Sequence, residues 1–222
     1  MNVEWVQRMG LVEKTREGIL RVIAYLIPLV VQMPGMVSWI GLMSVPLLVF
    51  LIAMLGNGPT GIAEAVGFFV LNPLNPMNIA AYLGAIIALA SILHLAVQKR
   101  KANGLVMSGP YRYVRHPQYL GLLLLTSGFT AWSYWVLIHT FGIGWLSPEG
   151  TVALWFVILI AYLGLALIEE KHLAGKFGEE YAVYRDRTGF FIPGVTTPPH
   201  DVLASTVLLS LVTVLLLLFA RI

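Results

Sequence analysis

Five long apolar stretches constrain this chain more than any other feature of its sequence. A helix that crosses a lipid bilayer needs roughly 20 mostly apolar residues, and the five stretches cover residues 37–55, 79–97, 119–138, 151–168 and 202–220. Of the 222 residues, 58% are hydrophobic and 11% are charged, whereas roughly 25% are charged in soluble globular domains. These values exclude a soluble enzyme and predict an integral, multi-pass membrane protein.

The same stretches predict the fold class. Inside lipid every backbone N–H and C=O must be paired within the protein, so helices are the expected spanning structure. We predict an all-α polytopic membrane helix bundle with five to six transmembrane helices. A further apolar segment, 19–31, contains Arg21 and Pro28. We predict that it is an interfacial or re-entrant segment rather than a short transmembrane span.

The positions of the basic residues predict the orientation. The 14 Lys and Arg residues fall in the first 21 residues, in 98–117, in 169–201 and at Arg221, whereas the loops 56–78 and 139–150 carry none. Positive residues mark the cytoplasmic side, so the segments 98–117 and 169–201 are expected to face the cytoplasm.

The net charge of +3 is slight and does not suggest a nucleic-acid partner. Without cysteine there is no Cys-ligated zinc, and we predict no metal site.

The first of these two polar segments predicts an anion site. Gly109 and Pro110 form a turn, and Pro117 is well placed at the start of the next helix. Arg115 and His116 then lie at the positive end of that helix, where free backbone N–H groups favour a carboxylate or a phosphate.

The second polar segment predicts a cation site. Glu169 and Glu170 lie at the end of an apolar span, where carboxylates usually face a polar cavity or a partner; two solvated carboxylates beside Lys171 and His172 are the alternative. Further along, aromatic residues on one face predict an interfacial amphipathic helix lying along the membrane surface; they are Phe177, Tyr181 and Tyr184. An anion site and a cation site together suit a zwitterionic ligand with an extra positive charge.

The order and spacing of these residues resemble the integral-membrane isoprenylcysteine carboxyl methyltransferase and phospholipid methyltransferase superfamily. The resemblance covers about residues 79–195. The motifs that carry it are Leu105-Val-x-x-Gly109-x-Tyr111, Arg115-His-Pro-x-Tyr119-x-Gly121, Glu169-Glu170 and Phe177-Gly-x-x-Tyr181-x-x-Tyr184. It implies a variable N-terminal membrane region over 1–78, a methyltransferase-like core over 79–200 and a C-terminal transmembrane helix over 201–222.

The resemblance also implies a cofactor and a set of site residues. The superfamily uses S-adenosylmethionine and acts on lipophilic, membrane-embedded substrates. The implied roles are catalytic for Arg115, which supports the loop, and for Glu169, which meets the positive end of the cofactor. The implied cofactor pocket is lined by Leu105, Val106, Tyr111, His116, Pro117 and Tyr119, with Glu170 beside Glu169.

One departure from the superfamily pattern bears on the substrate. Carboxyl-methylating members carry an Arg one helical turn before the first glutamate, and here that position is Leu165. Leucine cannot neutralise a carboxylate, and burying an unpaired one is very costly. An amine, a thiol or another uncharged lipophilic nucleophile is therefore expected, unless Arg185 or Arg187 grips the substrate.

An amine or thiol must lose a proton, and His94 or His172 is the expected proton acceptor because histidine titrates in the right range.

Two other classes of protein remain as alternatives. A membrane reductase or haem-dependent isomerase of related architecture is disfavoured by the glutamate pair, which repels an anionic dinucleotide. It is also disfavoured because His94 and His139 lie at opposite membrane sides. A non-catalytic scaffold predicts no cofactor affinity.

Overall fold

The computed structural model describes residues 36–55, 71–101, 104–139, 146–196 and 199–222. In these parts of the chain the elements are helices joined by short loops, with no β-strand. The order is α1 (Met36–Leu55), α2 (Pro76–Lys101), a 3₁₀ turn (Gly109–Arg112), α3 (Pro117–His139), α4 (Pro148–Phe177), α5 (Glu179–Arg187) and α6 (His200–Phe219).

The membrane character predicted from the sequence is confirmed. Four helices are long and apolar enough to cross a bilayer, namely α3, α4, α6 and Pro76–Lys99 of α2, and α1 contains the shorter apolar helix Leu42–Met54. The five apolar stretches of the sequence coincide with α1 to α4 and α6 within a few residues at most ends. The fold is therefore an all-α polytopic membrane bundle. The segment 19–31 lies outside the described residues.

Two compact units divide the chain between Ser44 and Val45. Of the first unit, only the start of α1 is described. The second unit holds the rest of α1 and every element from α2 to α6. The domain boundaries at residues 78 and 200 that the resemblance implies stay predictions.

Three helices begin at a proline, and this sets where the loops end. Pro76, Pro117 and Pro148 each occupy the first helical position, where the missing N–H costs no hydrogen bond and the fixed φ suits a helix. At the start of α4, the Ser147 hydroxyl also accepts a hydrogen bond from the Gly150 N–H at 3.0 Å. At their N-terminal ends, these three helices are longer than the predicted spans, because each helix begins at a proline two or three residues before its apolar stretch.

The backbones of α2 and α3 lie in direct contact. A Cβ added at Gly84 would lie 2.2 Å from the backbone N of Leu125, and one at Gly121 would lie 2.4 Å from that of Ala88. Small residues at such crossings permit the close approach that stabilises helices in lipid. Because α3 begins at Pro117, this contact fixes the helix start that carries the Arg-His-Pro turn (Arg115, His116 and Pro117).

The last helix, α6, packs along α3. The hydroxyls of Ser127 and Thr213, both fully buried, lie 2.9 Å apart. Towards the far end of both helices, a buried apolar cluster joins α3 to α6 and to the start of α2; its core members are Met77, Ala131, Tyr134, Leu216 and Ala220. Several independent contacts therefore hold α6 in the bundle.

Adding a Cβ at Gly121 tests the close contact between α2 and α3. In Gly121→Ala the new methyl group would meet the backbone of Ala88 at 2.4 Å, so the two helices must separate. We expect the free energy of unfolding to fall by about 1–3 kcal/mol, measured by denaturant unfolding in detergent micelles. Gly164→Ala is the matched control, since a Cβ there meets nothing within 4 Å. Equal stability of the two variants would contradict the packing described.

Candidate functional site

The Arg-His-Pro turn and the glutamate pair (Glu169 and Glu170) meet at one end of the bundle. Nε of Arg115 donates to Oε1 of Glu170 at 2.6 Å, and Nε2 of His116 lies 3.2 Å from the same oxygen. Nδ1 of His116 lies 3.5 Å from Oε2 of Glu169. The start of α3 and the C-terminal part of α4 thus bring both sequence motifs into a single cluster of charges.

The guanidinium of Arg115 is buried and fully engaged by the protein. Besides Glu170, it donates to Oδ2 of Asp201 at 2.5 Å and to the backbone carbonyls of Arg185, at 3.1 Å, and Thr188. Burial opposes the charge, but Glu170 and Asp201 outweigh it and raise the pKa of Arg115 above its ordinary value. Arg115 is therefore a permanent cation that ties four parts of the chain together.

This arrangement differs from the anion site expected from the sequence. The expected guest of the cations was a free carboxylate or phosphate, whereas the anions found beside them are Glu170 and Asp201 of the chain itself. A buried guanidinium without a counter-ion is costly, so the fold supplies carboxylates from α4 and α6.

His116 lies in a box of aromatic rings. Its side chain is 1% exposed, and its ring centroid lies 5.6 Å from that of Tyr119, 5.1 Å from that of Phe190 and 6.4 Å from that of Phe191. Burial disfavours its charge, but the two glutamates outweigh that effect and raise the pKa of His116 above its ordinary value. The imidazolium therefore persists to higher pH than in an exposed histidine.

The two glutamates are engaged differently. Glu170 makes the short contacts to Arg115 and His116, whereas Glu169 has longer ones, 3.5 Å to Nδ1 of His116 and 3.5 Å from the amide Nε2 of Gln118. Their side chains are 15% and 19% exposed, respectively. Glu170 is thus a structural partner of the cations, and Glu169 keeps more of its hydrogen-bonding capacity free of short contacts.

Buried polar atoms without a hydrogen-bond partner among the described residues lie around this pair. They include the hydroxyls of Tyr119 and Tyr181 and the amide oxygen of Gln118. Burial first, and then the negative charge of Glu170, raise the pKa of Tyr181, so that this phenol stays a neutral donor. Such atoms are unusual in a folded protein, and they are suited to hydrogen bonds with a polar ligand.

The segment 188–191 lines the cluster and was not found from the sequence. Its backbone pairs with the Arg-His-Pro turn, since the Arg115 N–H donates to the carbonyl of Gly189 at 2.8 Å and the His116 N–H to that of Phe190 at 3.4 Å. The rings of Phe190 and Phe191 are buried. Two adjacent phenylalanines between the charged α5 and a proline-rich stretch were the available signal.

The aromatic face of α5 packs on the protein. Tyr181 and Tyr184 are buried, and the Tyr184 hydroxyl donates to the carbonyl of Tyr111 at 2.7 Å. The expected single face of Phe177, Tyr181 and Tyr184 is not formed, because α4 ends at Phe177 and Gly178, with a positive φ of 52°, separates it from α5. Tyr181 and Tyr184 instead cover the loop that precedes α3, and the placement of α5 along the membrane surface stays a prediction. Tyr111 is buried as well, and its hydroxyl donates to the carbonyl of Ser91 on α2 at 3.5 Å.

The remaining predicted pocket residues lie on or beside this loop. Leu105 and Val106 are half-buried, and Pro117 and Tyr119 are buried at the start of α3. A cleft of about 810 Å³ opens between the loop and α5, and neither Glu169 nor Glu170 lines it. Its lining consists of Met107, Arg112, Glu179, Glu180, Val183, Tyr184, Arg187 and Thr188.

The candidate bases are spread over the bundle. His94 is half-buried on α2, with Nε2 3.0 Å from the hydroxyl of Ser108 and its ring centroid 6.4 Å from that of Tyr111. Gly109 has a positive φ of 61°, and a Cβ there would lie 2.8 Å from the His94 ring. His139 lies at the opposite end of the bundle, where Nδ1 is 2.8 Å from the carbonyl of Trp135. The role of His94 as a base stays a prediction.

Asp201 is the charged member of the cluster that sequence reasoning missed. Asp201 lies in the first turn of α6, where its Oδ1 accepts the Val202 N–H at 2.8 Å. Its other oxygen binds Arg115, which lies 86 positions earlier in the chain. A carboxylate in a first helical turn has a sufficient local explanation, so no sequence pattern pointed to this pair.

Comparison with known proteins bears on the segment that carries the motifs. Residues 97–180 match the phospholipid methyltransferase family. A protein-S-isoprenylcysteine O-methyltransferase from Saccharomyces cerevisiae is 31% identical over 104 residues, which are 46% of this chain and 38% of that protein. The resemblance to the isoprenylcysteine and phospholipid methyltransferase superfamily is confirmed. The chain spans about 38% of the length of this relative, and no solved structure matches it. Asp201 and the segment 188–191 lie outside the part that matches the family.

The unequal engagement of the glutamates predicts unequal effects on stability. Glu170→Gln removes a carboxylate that contacts both Arg115 and His116, and breaking a buried ion pair costs about 3 kcal/mol or more. Glu169→Gln removes only contacts of 3.5 Å, so we expect a loss of about 1 kcal/mol or less. Denaturant unfolding of both ligand-free variants in the same detergent measures the difference. An equal or larger loss in Glu169→Gln would show that the contacts are assigned to the wrong glutamate.

Proposed function

We propose that the chain is a membrane methyltransferase that uses S-adenosylmethionine and acts on a lipophilic acceptor. One observation carries the proposal: the Arg-His-Pro turn and the glutamate pair form one buried charge cluster at the end of an apolar bundle. A single small molecule can therefore touch both motifs. The similarity of residues 97–180 to phospholipid methyltransferases supports the reaction class.

The charge balance of the cluster fits a sulfonium ligand. Two cations, Arg115 and protonated His116, face three carboxylates, those of Glu169, Glu170 and Asp201. Among these five groups, one negative charge is therefore in excess. In partly desolvated surroundings such a charge attracts a cation strongly. The glutamate with the longer contacts, Glu169, is the proposed partner of the positive sulfur.

The unpartnered buried polar atoms fit the polar parts of the same ligand. The hydroxyl of Tyr119 and the amide oxygen of Gln118 lie at the start of α3 and are available for hydrogen bonds. In the proposed pocket, Tyr111 and the backbone of Leu105 and Val106 form the wall on the loop side. His116 and Pro117 form the floor.

When bound, the cofactor supplies an electrophilic methyl group. The protein contributes by positioning the two reactants and by excluding water from the site. Arg115 fixes the turn through its four partners, and the aromatic rings around His116 keep water out. A dry pocket penalises charged reactants more than a transition state in which charge is dispersed, and holding two reactants in register contributes up to about 7–11 kcal/mol in ideal cases.

The acceptor is proposed to be an amine or a thiol in a lipophilic molecule. Leu165, at the position of the carboxylate-binding arginine of the superfamily, is half-buried and offers no positive charge. His94, whose Nε2 lies 3.0 Å from the hydroxyl of Ser108, is the proposed proton acceptor. The cofactor would enter from the cytoplasmic side and the acceptor laterally between the helices.

Direct binding measurements test the cofactor site. Glu169→Gln and His116→Ala are each expected to weaken S-adenosylmethionine binding about tenfold or more, equivalent to about 1.4 kcal/mol, in calorimetry on detergent-purified protein. Glu149→Gln is the matched control, since this exposed glutamate lies at the other end of α4. Incubation with methyl-labelled cofactor and a lipid extract would then identify the acceptor. Wild-type protein that binds no cofactor, or unchanged affinity in both site variants, would refute the proposal.

The identity of residue 165 tests the acceptor class. If the missing arginine is what bars carboxylates, Leu165→Arg should give measurable methylation of a prenylcysteine analogue that the wild type does not methylate. Leu167→Arg is the control, because this exposed leucine lies on the same helix and receives the same charge on another face. A gain in both variants would attribute the effect to added positive charge in general, and no gain in either would mean that residue 165 does not select the acceptor.

A further inference from the structure

The last helix contributes a charged residue to the candidate site. Asp201, in the first turn of α6, is fully buried, and Oδ2 accepts a hydrogen bond from Nη2 of Arg115 at 2.5 Å. Its backbone carbonyl accepts the Ser205 hydroxyl at 2.7 Å, and that hydroxyl accepts the Phe191 N–H at 3.2 Å. Asp201 is thus bonded to the turn on one side and, through Ser205, to the segment 188–191 on the other.

Two carboxylates bind different nitrogens of the Arg115 guanidinium. Nε faces Glu170 and Nη2 faces Asp201, while Nη1 donates to the carbonyls of Arg185 and Thr188. One of these two carboxylates is enough to neutralise the cation. Because Asp201 also compensates Arg115, the negative charge of Glu170 is not fully neutralised by Arg115, and it adds to the negative charge of Glu169.

We infer that Asp201 is a positioning residue of the proposed cofactor site, which neutralises and orients Arg115 so that the glutamate pair keeps an excess negative charge towards the ligand. The inference rests on the proposed function for the identity of the ligand. It assigns the C-terminal helix, which by composition is a membrane anchor, to the site.

A purely local role makes a different prediction. If Asp201 only capped the first turn of α6, asparagine would serve nearly as well, since Asn and Asp are comparable at helix N-termini. Its amide oxygen can still accept the Val202 N–H, but the charge opposite Arg115 is lost. The change Asp201→Asn therefore separates the two roles. It is expected to leave the protein folded, because the Ser127–Thr213 contact and the apolar cluster hold α6 independently.

Binding of S-adenosylmethionine by calorimetry is the first measurement. We expect Asp201→Asn to weaken binding about tenfold and Asp201→Glu, which keeps the charge, to recover part of it. Asp186→Asn is the matched control, because this exposed aspartate on α5 pairs with Arg185 at 3.5 Å and a surface pair contributes little. Wild-type affinity in Asp201→Asn would overturn the inference.

The titration of His116, followed by NMR in the ligand-free protein, is the second measurement. The titratable and charged groups beside His116 are Arg115 on its own loop, Glu169 and Glu170 on α4 and Tyr119 on α3. Tyr181 on α5 interacts with Glu170 and Arg115. Without Asp201, Glu170 must balance Arg115 alone and stabilises the imidazolium less. The pKa of His116 should therefore fall in Asp201→Asn and not in Asp186→Asn. An unmoved His116 titration would mean that Asp201 is not coupled to the glutamates.

The two measurements keep the inference separate from the proposed function. A wild-type protein that binds no S-adenosylmethionine refutes the function, whereas the His116 titration still tests the coupling. If Asp201→Asn does not fold, the double change Arg115→Gln with Asp201→Asn removes the unpaired charge. It should then bind the cofactor as weakly as Arg115→Gln alone. Much weaker binding by the double variant would show that Asp201 acts other than through Arg115, and the inference would be wrong.

Discussion

The ion pairs of Arg115 are the interaction on which the rest of this structure depends. A guanidinium buried at the end of an apolar bundle is tolerated only when carboxylates and carbonyls surround it. Here the carboxylates come from α4 and α6, and the carbonyls come from the end of α5 and from the segment after it. One side chain thereby determines how three helices converge, and it brings His116 against the same glutamates.

The fold was largely predictable from the sequence because lipid leaves few alternatives. A stretch of about 20 apolar residues must form a helix in a bilayer, and the five stretches found in the sequence became α1 to α4 and α6. The exact ends depended on Pro76, Pro117 and Pro148. The contact of α2 with α3 was harder to foresee, since a glycine in an apolar run gives no indication of which helix it will face.

The members of the site were partly predictable, but their pairing was not. The Arg-His-Pro turn and the glutamates stood out because carboxylates at the end of an apolar span usually face a polar cavity or a partner, and because the order and spacing of both motifs resemble the superfamily. Which glutamate would meet Arg115 depends on the rotation of α4 relative to α3, and adjacent residues on a helix differ by only about 100° in direction. The geometry places Glu170 against both Arg115 and His116, and the role of Glu169 towards the ligand, which the resemblance implies, stays a prediction.

The segment that matches the phospholipid methyltransferase family contributes Arg115, His116 and both glutamates to the cluster, and with His116 protonated these four groups carry no net charge. The fifth charge, on Asp201, comes from a helix outside that segment and gives the cluster its excess negative charge. Within the proposed function, this excess has a direct consequence. A sulfonium is attracted to it, whereas the neutral thioether that remains after methyl transfer is not. The electrostatic attraction that favours binding of the charged cofactor is thus absent for the neutral product. The same cluster therefore favours replacement of the product by a new cofactor molecule.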